Sequence, residues 1–199
     1  MNPAQCTVFI DDTPGGQEMQ ATRLDGADAR THAAQLRALL LDAVAHGASV
    51  GFVMPLADSM ADAYWRGVAE AVEAGSRILL ALWRGQVLVG TVQLDLCMKP
   101  NGGNRAEVQK LLVHSDARRG GVATRLMAAA ETQALALRRG LLFLDTEAGS
   151  DAESLYARLG YTRVGELPEY CATPNGAWRA TAIWYKTLFL REQAAPPRA

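Results

Sequence analysis

Apolar residues recur along this chain with two periods, and the switches between them mark its elements. Leu36, Leu39, Leu40, Ala43 and Val44 share one helical face, in a helix predicted to start near Thr31 and stop at Gly47. A connection over residues 48–57 follows. Ser59-x-x-Asp62 has the spacing of a helix cap, and Met60, Tyr64, Val68 and Val72 carry the helical period to Gly75. Residues 78–83 and 87–96 then read as two strands joined by Arg84-Gly85-Gln86, a hairpin signal. Lys99-Pro100-Asn101-Gly102-Gly103-Asn104 is a second turn, leading into a short, buried-type strand at 108–113. From Val122 the period is helical again, through Leu126, Ala130, Gln133 or Ala134, and Leu137.

The remainder reads the same way. Residues 141–144 make a strand too apolar for a sheet edge. Ser150-x-x-Glu153 is predicted to cap a short helix with Ala152, Leu155, Tyr156 and Leu159 on its apolar face and Gly160 at its end. Residues 161–164 and 181–188 finish the sheet. Between them residues 165–180 are predicted to be a loop, holding two prolines, Tyr170, Cys171 and Trp178; a loop of that length is functional or disordered. Residues 1–20 have no sustained period; they hold a candidate strand at 7–10 or form a mobile extension, and a first strand lies near 20–24. The order β-α-α-β-β-β-α-β-α-β-β predicts an α/β fold with a central mixed, mostly antiparallel sheet flanked by helices. One domain over 20–190 is expected, between an N-terminal extension (1–19) and a C-terminal tail (191–199).

Composition narrows the function. With 199 residues the chain suits one domain with a sizeable core, and its formal net charge of −1 offers no electrostatic basis for non-specific nucleic-acid binding. No run of 18 apolar residues exists to span a membrane. Cys6, Cys97 and Cys171 are odd in number and lack metal-site spacing, so no metal is expected. No basic-then-apolar signal opens the chain, and a reducing, cytoplasmic setting is the natural expectation.

The candidate chemistry centres on the strand–turn–helix at 107–124. Arg118-Arg119-Gly120-Gly121 precedes a helix whose first amides have no partner and whose N-terminus is partly positive. Gly121 admits close backbone approach, Ala123 keeps the next turn small, and the two arginines add forked donors suited to phosphate. On local chemistry alone this is either a phosphate cradle or a basic loop that binds nothing.

Arg118-x-x-Gly121-x-Ala123, after Leu111-Leu112-Val113, resembles the acyl-CoA pyrophosphate loop of the GNAT N-acetyltransferase superfamily. Ala152-x-x-Leu155-Tyr156-x-x-Leu159-Gly160-Tyr161 resembles the same family's last-helix signature; the family often carries Asn seven residues before the tyrosine, where this chain has Gly149. The resemblance implies the GNAT fold over about 20–189 and acetyl-CoA as cosubstrate. It places Leu111, Leu112 and Val113 along the pantetheine, and Arg118, Arg119, Gly120, Gly121, Val122, Ala123 and Thr124 at the pyrophosphate. It implies a small-molecule amine acceptor and gives Tyr156 the role of protonating the leaving thiolate, against a plain reading in which a half-buried tyrosine merely hydrogen-bonds a carbonyl. A homodimer stays open.

An attacking amine must be neutral, so a carboxylate or a carboxylate-bound water takes its proton. Glu107, on the strand to which the resemblance assigns the thioester, and Asp145, on the strand expected across the cleft, compete for that role; His114 is a poorer candidate, and any of these can be merely solvated. Tyr64 and Trp65 are substrate-contact candidates whose spacing suits core packing better.

Segments 101–111, 144–150 and 165–174, among them Glu107-Val108-Gln109-Lys110-Leu111 and Leu144-Asp145-Thr146-Glu147, are similar to the tabtoxin-resistance acetyltransferases. That similarity implies an amino-acid-like or β-lactam toxin acceptor and a role in antibiotic or toxin resistance. Two other classes stand beside the enzyme: a non-catalytic GNAT-fold CoA sensor or partner module, and a nucleotide-binding protein. The chain has neither Gly-x-x-x-x-Gly-Lys-Ser/Thr nor Gly-x-Gly-x-x-Gly, which disfavours the latter.

Overall fold

The computed structural model describes residues 19–191, so the candidate strand at 7–10 lies outside the described residues. Seven strands form one sheet in the order β1-β2-β3-β4-β5-β7-β6. They are β1 (Met19–Leu24), β2 (Arg77–Arg84), β3 (Val87–Leu96), β4 (Arg105–Val113), β5 (Leu141–Glu147), β6 (Thr162–Ala172) and β7 (Trp178–Thr187). Neighbours are antiparallel except β4 and β5, which run parallel because helix α4 (Val122–Ala136) returns the chain between them. The remaining helices are α1 (Gly26–Thr31), α2 (Ala33–Ala45), α3 (Asp58–Glu73) and α5 (Asp151–Arg158). This is the mixed, mostly antiparallel sheet that the pattern of elements predicts.

Period-two alternation divides the core between the two faces of the sheet. Leu79, Ala81, Leu88 and Leu112 pack against Leu36, Leu39, Leu40, Trp65 and Val68 of α2 and α3. Ile78, Leu80, Leu82, Val92, Leu94, Val108, Leu142 and Leu144 face the other way, against Val122, Leu126 and Met127 of α4 and Tyr156 of α5. Each fully buried leucine contributes about 1.5–3 kcal/mol. Val122 and Leu126 are therefore strong anchors that hold the start of α4 against the sheet. Among the described residues no helix is long and apolar enough to cross a membrane.

Three local features differ from the reading of the sequence. Residues 165–180 are mostly strand: β6 runs to Ala172 and β7 begins at Trp178, so the expected loop is a long hairpin. Pro168 disguised it, because proline is excluded from central strands but tolerated on an edge strand, and β6 is the sheet's edge. The register also shifts between Leu167 and Cys171, with Glu169 at φ 47°, which marks an irregular edge.

A short helix that the pattern does not predict precedes the first expected one: α2 is the helix expected from near Thr31 to Gly47, and α1 stands before it. An Asp25–Asp28 capping box starts α1, and the chain breaks at His32 before α2. Finally, neither expected capping box forms. Helix α3 starts at Asp58, one residue before Ser59, and Asp62 is drawn to Arg37 of α2 at 3.0 Å. Ser150 does occupy the N-cap of α5, but its hydroxyl donates to the Glu147 carbonyl at 2.7 Å, and Glu153 accepts from the Gly149 amide instead.

Candidate active site

The site exists because two parallel strands part company. β4 and β5 pair only where Arg105, Ala106 and Glu107 meet Leu141, Leu142 and Phe143. Beyond Glu107 the side of β4 that faced β5 has no strand partner. At the same point β4 bulges: Thr91 pairs with Leu112 but Gln93 with Gln109, leaving both Lys110 and Leu111 opposite Val92, with Lys110 at φ 49°. A bulge bends its strand and increases the local twist, which swings β4 away from β5. The gap is a cavity of about 420 Å³, lined by Glu107, Lys110, Leu111, Asp145, Tyr156 and Tyr170 among others.

The two carboxylates enter it from one face of the sheet. Gln93 exchanges hydrogen bonds with the Tyr64 hydroxyl of α3 at 2.9 and 3.2 Å, so it faces the α2–α3 layer. Asp95 lies two residues on and Glu107 directly opposite Asp95, so both share that face. Phe143 is in register with Glu107, which puts Asp145, two residues further on β5, on the same side. Burial raises the Glu107 carboxyl above the ordinary glutamate value, Asp145 and Asp95 add to the effect, and Gln109 and Lys110 offset part of it. A base so tuned holds its proton more strongly, nearer to the pH at which amines must be deprotonated. The Thr181 hydroxyl, on β7, lies 3.0 Å from Asp145 Oδ2 and orients that carboxylate.

Tyr156 reaches the gap from the opposite layer. Its ring is 6 % exposed and packs near Tyr161 and Trp184, with centroids 5.9 and 6.4 Å away. Among the described residues its hydroxyl makes no hydrogen bond, although the side chain lines the cavity. Burial, helped by the Asp145 charge, pushes its phenol up to about 12, so it remains protonated and able to donate through the neutral range. Glu153 fixes α5: it accepts from Gly149 N at 2.7 Å, Arg163 Nε at 2.8 Å and Trp184 Nε1 at 3.1 Å.

The Arg/Gly turn lies at the far end of β4. Arg118, Arg119, Gly120 and Gly121 are exposed, Arg119 has φ 61°, and Gly121 is the N-cap of α4 at φ 77°. A Cβ built on Gly121 would meet nothing within 4 Å, so the space before the free amides of α4 is open to a ligand. Asp42 of α2 holds the preceding loop, accepting from Ser115 N at 2.7 Å and Ser115 Oγ at 2.8 Å. Burial alone would raise the Asp42 carboxyl, but these two donors, with His114 and His46 beside it, hold it below the ordinary aspartate value.

Of the residues singled out from sequence, Glu107, Asp145, Tyr156 and Leu111 come together in the cavity. Val113, Arg118, Arg119, Gly120, Gly121, Ala123 and Thr124 lie outside its lining, along the line from the end of β4 to the start of α4. Leu112 and Val122 point their side chains into the core at 1 % exposure, leaving only their backbone to face a ligand. His114 lies on the loop after β4, near Asp42. Trp65 is core, and Tyr64 borders Lys110. Sequence reasoning missed Tyr170 and Cys171, which the β6–β7 hairpin folds onto the cavity, and the 47–51 segment opposite them. The aromatic content of residues 165–180 was the available signal.

With this layout in place, comparison with known proteins is direct. The acetyltransferase (GNAT) family matches residues 38–161, more than half the chain. The chain therefore belongs to the GNAT family of N-acetyltransferase enzymes. Solved structures share its fold at low identity. The Salmonella typhimurium protein yncA, solved with its cofactor acetyl-CoA, is 18 % identical with a TM-score of 0.71, over 92 % of this chain and 99 % of its own. The ribosomal-protein-alanine N-acetyltransferase of Brucella melitensis is 20 % identical with a TM-score of 0.68, over 84 % and 99 %. An N-acetyltransferase of Staphylococcus aureus Mu50 is 16 % identical with a TM-score of 0.71, over 86 % and 99 %.

Proposed function

We propose that this enzyme moves an acetyl group from acetyl-CoA to the primary amine of a small molecule, amino-acid-like or of the β-lactam toxin type, by direct attack with both substrates bound. One observation carries the reading: Glu107, Asp145, Tyr156 and Leu111, from three separate elements, line a single cavity where β4 and β5 diverge. When bound, acetyl-CoA supplies an acyl group activated as a thioester. The residues fit such a molecule. The open approach to Gly121, the free amides of α4 and the exposed Arg118 and Arg119 suit its pyrophosphate, and the edge of β4 from Leu111 to Val113 that is turned away from β3 and has no strand partner suits its pantetheine arm.

Glu107 takes the proton of the attacking amine, directly or through water, and Asp145 holds the ammonium form before it reacts. Tyr156, protonated and without a competing hydrogen bond among the described residues, gives its proton to the departing thiolate. A CoA sensor would need the pyrophosphate loop but not two carboxylates and a tyrosine in one cavity. The similarity of residues 101–111, 144–150 and 165–174 to the tabtoxin-resistance acetyltransferases makes a resistance role the first to test.

Thermal shifts with acetyl-CoA, CoA and ATP, followed by thiol release over a panel of amines, test the reading. Acetyl-CoA at a hundred times its Kd should add about 2.7 kcal/mol of stability, which is about 5–11 °C for a domain of this size. A shift with ATP alone would make the protein a nucleotide binder. A shift with acetyl-CoA but no thiol release with any amine would make it a sensor.

A further inference from the structure

Lys110 has no part in the chemistry above, yet it is the most unusually held residue on β4. At φ 49° it occupies a left-handed backbone conformation that side chains other than glycine rarely adopt. Plain alternation would send it to the face opposite Gln109. The bulge instead turns it toward α3, where its Nζ sits 5.7 Å from the centroid of the Tyr64 ring. Tyr64 is itself fixed by Gln93. From the other side the 47–51 segment closes in, since a Cβ on Gly51 would lie 3.6 Å from the same Nζ.

The ammonium so placed lines the same cavity as Glu107 and Asp145. Among the described residues it makes no hydrogen bond, and no carboxylate comes within the 4.0 Å of an ion pair. Burial, with Arg77 nearby, lowers its pKa below the ordinary lysine value although Asp145 and Glu107 offset part of this, and an anion in direct contact would recover more of the lost stabilisation. Among its described lining residues the cavity thus has carboxylates, Glu107 and Asp145 among them, and one ammonium, Lys110, that forms no ion pair with either.

We propose that Lys110 is a specificity-determining residue that binds a carboxylate of the acceptor while its amine lies between Glu107 and Asp145. The acceptor is then a compound with a free carboxylate as well as the reacting amine. This rests on the acetyltransferase reading, because it assigns the far end of the molecule whose amine is acetylated.

The experiment compares free amino acids with their methyl esters as acceptors, by thiol release, in wild type, Lys110→Met and Lys110→Arg. The melting temperature establishes that each variant is folded, and calorimetry gives its acetyl-CoA affinity separately. Wild type should favour acids over esters by at least about tenfold in kcat/KM, chiefly through KM, since a charge-assisted contact is worth that much. Lys110→Met should lower kcat/KM for the acids by about ten- to a hundredfold and bring the acid-to-ester ratio close to one. Lys110→Arg should restore much of the ratio. The wild-type ratio needs no variant, so a poorly folded Lys110→Met does not rescue the idea. Esters used as well as acids, a ratio unchanged in Lys110→Met, or a loss of acetyl-CoA affinity in that variant would each overturn the proposal and leave the acetyltransferase reading standing. If wild type acetylates neither series, the proposal falls; if it also fails to bind acetyl-CoA, the reading falls with it.

Discussion

Replacing Glu107 by glutamine keeps the shape of the side chain and removes its charge. The change is made at a residue that faces the cavity beside Asp145 and lies opposite Asp95 in the register. Folding should not suffer. The folded-state pKa of Glu107 is raised, so its stabilising contribution is present below the ordinary glutamate value and is lost as pH rises through the folded one. Above that folded value the ionised carboxylate is a cost that glutamine lacks, and there the melting temperature of Glu107→Gln should equal or exceed that of wild type. Activity should behave differently. An α-amino acceptor with a pKa near 8 is about one-tenth neutral at pH 7. If Glu107 did no more than strip the ammonium before attack, its loss would cost about tenfold at pH 7 and almost nothing above pH 9. If it also takes the proton during attack, the loss should reach about a hundredfold or more and persist in part at high pH. The assay is kcat/KM from thiol release between pH 6 and 9.5, with wild type, Glu107→Gln and Asp145→Asn on one good acceptor. Wild type should show an acidic limb above the ordinary glutamate range that Glu107→Gln lacks. Under the proposed roles, Asp145→Asn loses the carboxylate that Thr181 orients toward the acceptor's ammonium and should chiefly raise the acceptor KM. A wild-type profile in Glu107→Gln, with the acidic limb lost in Asp145→Asn, would exchange the two roles and refute the argument from strand position.

Three further outcomes follow from the geometry. Tyr156→Phe removes a hydroxyl that has no hydrogen-bond partner among the described residues, so the melting temperature should hardly move, while single-turnover rates should fall about ten- to a thousandfold at unchanged acetyl-CoA affinity; equal rates would leave Tyr156 a packing residue. Gly121→Val meets no protein atom near the new Cβ but sits at φ 77°, so it should cost about 1–2 kcal/mol of stability and weaken acetyl-CoA binding in calorimetry; an unchanged affinity in the folded variant would remove the pyrophosphate from this helix. Asp42→Asn should lower stability by about 1–3 kcal/mol near pH 7. Because the folded pKa of Asp42 is depressed, that deficit should shrink as pH falls through it, which denaturant titrations at pH 7 and pH 3 would reveal; a deficit equal at both would dismiss the charge.

Much of the architecture was legible because local chemistry dictates it. The helical phase of Leu126 and Ala130, the Gly85 turn and the Arg118–Gly121 turn before α4 depend on nearest neighbours along the chain, and each sits where its pattern places it. Local rules failed where a tertiary partner outbid them. Asp62 left its cap for Arg37, Glu153 left its own for a cluster of three donors, and Pro168 was admitted to a strand because that strand happens to be an edge. The candidacy of Glu107, Asp145 and Tyr156 and the succession of helices and strands along the chain were legible in the sequence alone. Their meeting in one cavity, with Lys110 beside them and Tyr170 arriving from the far hairpin, was decided only by the tertiary structure. The physical reason is that three paired residues between β4 and β5, a bulge in β4 and the edge position of β6 are all relations between distant segments, and no period along one segment encodes them.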